Sequence, residues 1–231
     1  MHNYSDSNEA LVIGGAYSVE SPYIGIAAAD RGYMFRKRLF DVCFAAAGLV
    51  FLLPVFILIA AVIKLSEPRG TVFFKQTRIG KDGKPFNMYK FRSMVVNAEE
   101  LLAELQHRNE IQGAMFKIKS DPRVTKIGKL IRKTSIDELP QLWNVLKGDM
   151  SLVGPRPGLP QEVAQYTSRD RLRLLVQPGC TGLWQVSGRN GLSFMQMVEM
   201  DLDYISRRSL LFDVRLILKT VLVMVYPKDA Y

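Results

Sequence analysis

The longest unbroken apolar stretch of the chain runs from Val42 to Ile63, VCFAAAGLVFLLPVFILIAAVI, and carries no charge. A helix crosses the hydrocarbon core of a bilayer with about 20 such residues, so the run predicts a membrane helix; a buried core helix rarely stays uncharged on every face for this long. Pro54 lies near its middle, where a missing N–H and a clash with the preceding turn predict a kink. Cations flank both ends: Arg36, Lys37 and Arg38 before the run, Lys64, Arg69, Lys75 and Arg78 after it. Flank charge therefore does not assign the ends to opposite faces. A helix over 34–65 that bends at Pro54 and returns to its face of entry fits these residues, and so does a kinked spanning helix. Ahead of it, residues 1–33 are polar and glycine-rich without a signal-peptide pattern, and read as a mobile cytosolic tail.

Beyond Lys64 the pattern changes to that of a compact body over 66–231, α/β in class and mostly helical. Val72, Phe73 and Phe74, then GKDGK at 80–84, then Phe86, Met88 and Phe91 predict a β-hairpin. NAEELLAELQHR (97–108) predicts a helix with His107 at its end. Ile136, Leu139, Leu142, Trp143 and Leu146 fall on one face of another. SLLFDVRLILKTVLVMVY (209–226) is apolar but interrupted by Asp213, Arg215 and Lys219, which predicts an amphipathic helix at an interface.

Charge narrows the partners. Lys and Arg number 31 against 22 Asp and Glu, a net +9 that favours a polyanion: nucleic acid, anionic lipid or a phosphorylated metabolite. Two cysteines, Cys43 and Cys180, form no metal or disulfide pattern, and two histidines, His2 and His107, leave acid–base or nucleophilic work to carboxylates. Neither a G-x-G-x-x-G nor a G-x-x-x-x-G-K-[ST] loop is present.

The candidate chemistry gathers after a basic cluster, Lys117, Lys119, Arg123, Lys126, Lys129, Arg132 and Lys133, where Asp137 and Glu138 stand side by side in RKTSIDELP. Ser135-Ile136-Asp137-Glu138 matches a capping box, so the pair reads as the first turn of a helix. A helix start beside cations is also a phosphate site. Arg156 in KGDMSLVGPRPG sits between two prolines, and Arg189 in QPGCTGLWQVSGRNG on a glycine-rich loop; stiff loops bearing arginine suit bidentate phosphate binding.

In these motifs the chain resembles the monotopic bacterial polyprenol-phosphate phosphoglycosyl transferases. The resemblance spans about residues 36–225 and rests on KRLFD, Pro54, FKQTRIG, YKFRSM, DPRVTKIGKLIRKTSIDELPQLWNVLKGDMSLVGPRP, QPGCTGLWQVSGRN and DLDYI. It implies a re-entrant membrane helix and a transfer of hexose-1-phosphate from a UDP-hexose, galactose or glucose, to undecaprenyl phosphate, with UMP as leaving group. It implies Asp137 as nucleophile and ligand of a magnesium ion (Mg2+), with Glu138 as its catalytic neighbour. Lys90, Arg92, Arg132, Arg156 and Arg189 are implied as phosphate-binding, with Asp201 and Pro54 in support; Leu53 replaces a serine of some relatives, which leaves Pro54 to supply the bend alone. The implied setting is the bacterial cytoplasmic membrane, in contact with membrane lipids, the catalytic domain on the cytoplasmic face. No nucleic acid partner is expected, since an aromatic-rich basic surface is missing; a homodimer stays open. A non-catalytic basic anchor would account for the charge and the apolar run, but not for the acid pair and the two arginine loops.

Overall fold

The computed structural model describes residues 11–13, 17–19, 30–105, 118, 121–188 and 191–226. It is mostly helical, with three separate two-stranded sheets among the described residues. The strands β1 (Leu11–Ile13) and β2 (Tyr17–Val19) pair antiparallel near the N-terminus. The apolar run forms two helices, α1 (Arg31–Phe51) and α2 (Leu53–Ser66), bent by 59° at the break between them. No single helix is long and apolar enough to cross a membrane, although the bent pair together meets that measure. The bend sits at Leu52 and not at Pro54, which occupies the first turn of α2. Proline disrupts the turn that precedes it, because its missing N–H and its ring act on residue 50, so the helix ends upstream.

The predicted hairpin is present. Strands β3 (Phe73–Ile79) and β4 (Pro85–Phe91) pair from Phe73 with Phe91 to Ile79 with Pro85, and the turn lies at 80–84. The helix α3 (Glu100–Leu105) covers part of the predicted 97–108 segment, and His107 lies outside the described residues. Helix α4 (Lys126–Lys133) is capped by Thr125, whose hydroxyl accepts from the Gly128 amide. Gly128 is required here, since a Cβ would overlap the Ser93 carbonyl.

Two expectations about the next segment are corrected. Ser135 does not cap an α-helix: its backbone is left-handed, φ 56° and ψ 18°, and its side chain makes no capping hydrogen bond to the turn that follows. Ile136–Glu138 forms a single 3₁₀ turn, and the helix proper, α5 (Gln141–Lys147), starts only after Pro140. Pro140 has no N–H to donate back to Ile136, so the α-helical ladder cannot run through it. The inward face of α5 also differs: Gln141, Asn144 and Val145 are buried while Trp143 is 52% exposed. Polar side chains can face inward here because they are bonded. The Asn144 amide donates to the Asn87 carbonyl at 2.7 Å and accepts the Tyr89 amide at 3.0 Å, imitating one more residue of strand pairing against β4.

Strand β5 (Ser151–Val153) pairs in parallel with β6 (Gly179–Thr181), and between them lie short helices α6 (Pro160–Ala164) and α7 (Ser168–Arg171). Helix α8 (Phe194–Arg207) carries Asp201, and α9 (Leu210–Val225) closes the fold. The main core gathers Ala45 of α1, Met88, Val145, Leu202, Ile205 and Leu216. A second core joins Ile63 of α2 to Phe91 and Ile131. Both arms of the bent pair are therefore sewn into one body.

The cations read as membrane flanks are also corrected in part. Lys37 is 9% exposed and lies 2.9 Å from Asp41 and 3.0 Å from Asp213. Arg38 donates to the carbonyls of Val145 and Leu146, which finishes the C-terminus of α5. Arg78, 9% exposed, is interior as well.

Candidate active site

Three segments meet at the acid pair: β4 with Lys90, the turn Ile136–Glu138, and the loop after β5 with Arg156. Glu138 takes both cations. Lys90 Nζ lies 2.7 Å from its Oε1, and both terminal nitrogens of Arg156 lie 3.3 Å from the same oxygen. Burial pushes the Glu138 carboxyl up, but Lys90 and then Arg156 outweigh it and hold the group well below the usual carboxylate range.

Asp137 is 7% exposed and forms no ion pair within 4 Å among the described residues. Burial raises its carboxyl from an ordinary 3.8 to about 6; the charge of Glu138 pushes the same way, and Lys90, Arg132 and Arg156 pull against it at longer range. Adjacent acids thus have opposite environments: one is locked in a salt bridge, and the other is a more basic carboxylate held in the field of cations. Such a carboxylate is about ten-to-one ionised at pH 7 and suited to attack an electrophilic phosphorus.

The other predicted residues divide. Arg132 is exposed, with its charge acting on Asp137 from the end of α4. Arg92 is not brought to the pair: it donates to the carbonyl and hydroxyl of Thr71, 2.7 and 2.6 Å away, and so ties the end of β4 to the chain leaving α2. Arg189 lies outside the described residues. Asp201 is fully buried and receives Arg173, Nε to Oδ2 at 2.8 Å, so it supports an arginine that the sequence reading did not single out. Burial holds Asp201 up near 6 despite that partner. Arg78 was also missed as an interior residue, although the alternation of β3 places it on the same side as Phe74 and Gln76.

Among the described residues no group of three or more His, Cys, Asp or Glu is gathered to hold a metal ion unaided. The donor set still suits Mg2+, which typically takes one or two carboxylates and completes its shell with substrate phosphates and water. Asp137 is the carboxylate that fits, because Glu138 is engaged by Lys90 and Arg156.

Fold and site together define a small, mostly helical protein with an acid pair bound by buried cations and built next to a bent pair of apolar helices. The chain belongs to the bacterial sugar transferase family, whose model matches residues 32–227. It is 46% identical over 199 residues to the galactosyl transferase CpsE of Streptococcus agalactiae serotype III, a match covering 86% of this chain and 44% of that protein. It is 43% identical over 207 residues to the undecaprenyl-phosphate galactose phosphotransferase of Salmonella typhimurium, covering 88% of this chain and 43% of that protein. The exopolysaccharide production protein ExoY of Rhizobium meliloti is 41% identical over 199 residues, 84% of this chain and 88% of its own length. The chain thus spans less than half of the first two relatives and most of the third.

Proposed function

We propose that the chain transfers hexose-1-phosphate from a UDP-hexose, galactose or glucose, to undecaprenyl phosphate as the first membrane step of exopolysaccharide or capsule synthesis. The observation that carries this reading is the unequal acid pair. Asp137, left without an ion pair, attacks the β-phosphorus; an aspartyl O–P bond forms, the P–O bond to the α-phosphate breaks, and UMP leaves with the electron pair. An oxygen of undecaprenyl phosphate then attacks the same phosphorus and frees the Asp137 carboxylate. Splitting the transfer lets two bulky anions react in turn at one site. Lys90 and Arg156, anchored on Glu138, face the phosphate oxygens with fixed charge, and Arg132 adds a solvent-side cation. Mg2+, held by Asp137, offsets charge on the diphosphate when bound.

The bent helix pair supports a re-entrant placement. Lys37, Asp41 and the fully buried Ala45 root α1 in the body, which leaves residues 46–51 beyond the last buried position, a length of about 9 Å against a hydrocarbon core of about 30 Å. The far end of α2 returns to the same body through Ile63. Phe44, Val50, Phe51, Leu53, Ile57 and Leu58 are all more than half exposed on this hairpin. That arrangement is consistent with a body held at the cytoplasmic face of the bacterial inner membrane, where the lipid phosphate of the acceptor would lie. Extracting the polyprenyl chain would cost about 0.8 kcal/mol per methylene.

The test uses detergent-solubilised protein with undecaprenyl phosphate, Mg2+ and UDP-galactose or UDP-glucose. UMP release together with a lipid-linked sugar diphosphate is the expected result, and UDP release in place of UMP overturns the reading.

A further inference from the structure

Arg156 projects from a loop between two prolines, which lack the N–H groups that would let such a loop bond itself. Every carbonyl of Pro155-Arg156-Pro157 is instead gripped from outside. The Gly179 amide donates to the Pro155 carbonyl at 2.9 Å. Arg173 Nη2 donates to the Arg156 carbonyl at 3.2 Å, and Arg78 Nη1 to the Pro157 carbonyl at 3.1 Å.

Both arginines are themselves fixed. Arg173 donates from Nε to Asp201 and from Nη1 to the Tyr166 hydroxyl at 3.0 Å. Arg78 donates twice to Gln76 Oε1 and lies 3.9 Å from Glu162. Arg78, Glu162, Arg173 and Asp201 are each 9% exposed or less. None of the four makes a hydrogen bond or ion pair with Asp137 or Glu138 among the described residues. Buried ion pairs are a poor source of stability compared with apolar packing. What these two supply that apolar side chains cannot is a directional grip on adjacent carbonyls beneath one half-buried guanidinium.

We propose that Arg173 and Arg78 are positioning residues, a two-arginine clamp that aims the Arg156 side chain at Glu138 and the diphosphate of the substrate. The inference rests on the reading of Arg156 as a phosphate-binding residue. Lysine in either place keeps the charge opposite its carboxylate but offers one nitrogen, which cannot span the separate partners that the guanidinium nitrogens reach.

The experiment is a double-mutant cycle on UMP release. Arg173→Lys is expected to lower kcat/KM for the UDP-hexose about 100-fold, the order of loss for a misplaced group, with kcat falling more than KM changes. In an Arg156→Lys background the same substitution should cost no more than about twofold. Arg78→Lys is carried through the same cycle, and thermal melting is recorded for every variant, so that one variant's failure to fold leaves the other to decide. Equal losses in both backgrounds, or an unchanged kcat/KM in the folded single variants, overturn the clamp. An absence of UMP release from the unsubstituted protein overturns the functional reading itself and the clamp with it.

Discussion

Lys37 lies between Asp41 and Asp213, 2.9 and 3.0 Å from each, while Lys90 lies 2.7 Å from Glu138 with Asp137 beyond it. The ingredients are alike: one lysine, two acids, little exposure. Their distribution differs. At Lys37 the charge is shared, the ammonium donates hydrogen bonds to Asp41 and the Ser151 hydroxyl, the Leu152 amide donates to Asp41, and the Tyr204 hydroxyl donates to Asp213. At Lys90 the charge is spent on one acid, and Arg156 is spent on the same acid. An evenly shared cation holds α1, β5, α8 and α9 together. A skewed cluster keeps a carboxylate in reserve, which is what a nucleophile needs.

Asp137→Asn tests the skew most severely. UMP release should fall about 10⁴-fold or more, as for loss of a covalent nucleophile. The same variant should be more stable at pH 7 by about 2 kcal/mol, because an ionised, buried Asp137 with a raised pKa is a cost to the folded state. Urea denaturation reads the second effect. A variant that loses stability instead would place Asp137 among the satisfied groups and end the contrast.

Lys37→Met attacks the even cluster. It strands two carboxylates, at 3% and 0% exposure, without their shared cation. Removing one partner of a buried ion pair costs about 3–5 kcal/mol, and the urea midpoint should fall accordingly while the folded fraction keeps its kcat. A change below about 1 kcal/mol would mean that the cluster adds nothing beyond its apolar surroundings.

The even cluster was the less legible of the two in the sequence. Lys37 precedes an apolar run, where lysine ordinarily marks a membrane flank, and its partner Asp213 is far along the chain on a helix whose charges read as an interfacial pattern. Only the i,i+4 spacing of Lys37 and Asp41 hinted at an internal pair. The acid pair and Arg156 were legible because their motifs are local: adjacent acids, and an arginine between prolines. The β-hairpin was legible for the same reason, its alternation and turn lying within one short stretch. The capping box does not form because Pro140 overrides a pattern two to five residues upstream. Trp143 was assigned inward because periodicity counts apolar residues, whereas the interior of α5 is held by Asn144 through bonds to β4 that no single-helix pattern contains.

A pH series sharpens the contrast further. Asp137 rises from 3.8 to about 6, so turnover should fall about tenfold per pH unit below pH 6 as the proposed nucleophile protonates. Its effect on stability has the opposite sign. Between about pH 4 and pH 6 the folded state binds more protons at this group than the unfolded state, so its contribution declines as pH rises through that window. Glu138 is held low, so its stabilisation is present above an ordinary 4.5 and is lost as pH falls below it. Asp137→Asn should therefore reduce the slope of the stability profile between pH 4 and pH 6, leaving the share that the similarly raised Asp201 contributes, and keep the loss at lower pH in place.

The smallest effect belongs to Arg132, the one exposed cation of the predicted set among the described residues. Arg132→Gln removes a charge that lowers the Asp137 carboxyl, so the acid limb of the pH–rate profile should move upward. Because Arg132 is exposed, the shift should stay below about half a unit at low salt and vanish near 1 M, where the screening length is about 3 Å. Lys90 and Arg156 differ here, since they contact Glu138 directly behind the protein surface and salt reaches them poorly. A shift at Arg132 that survives high salt would mean that its guanidinium closes onto the acid pair, and the reserve carboxylate would then have a partner of its own.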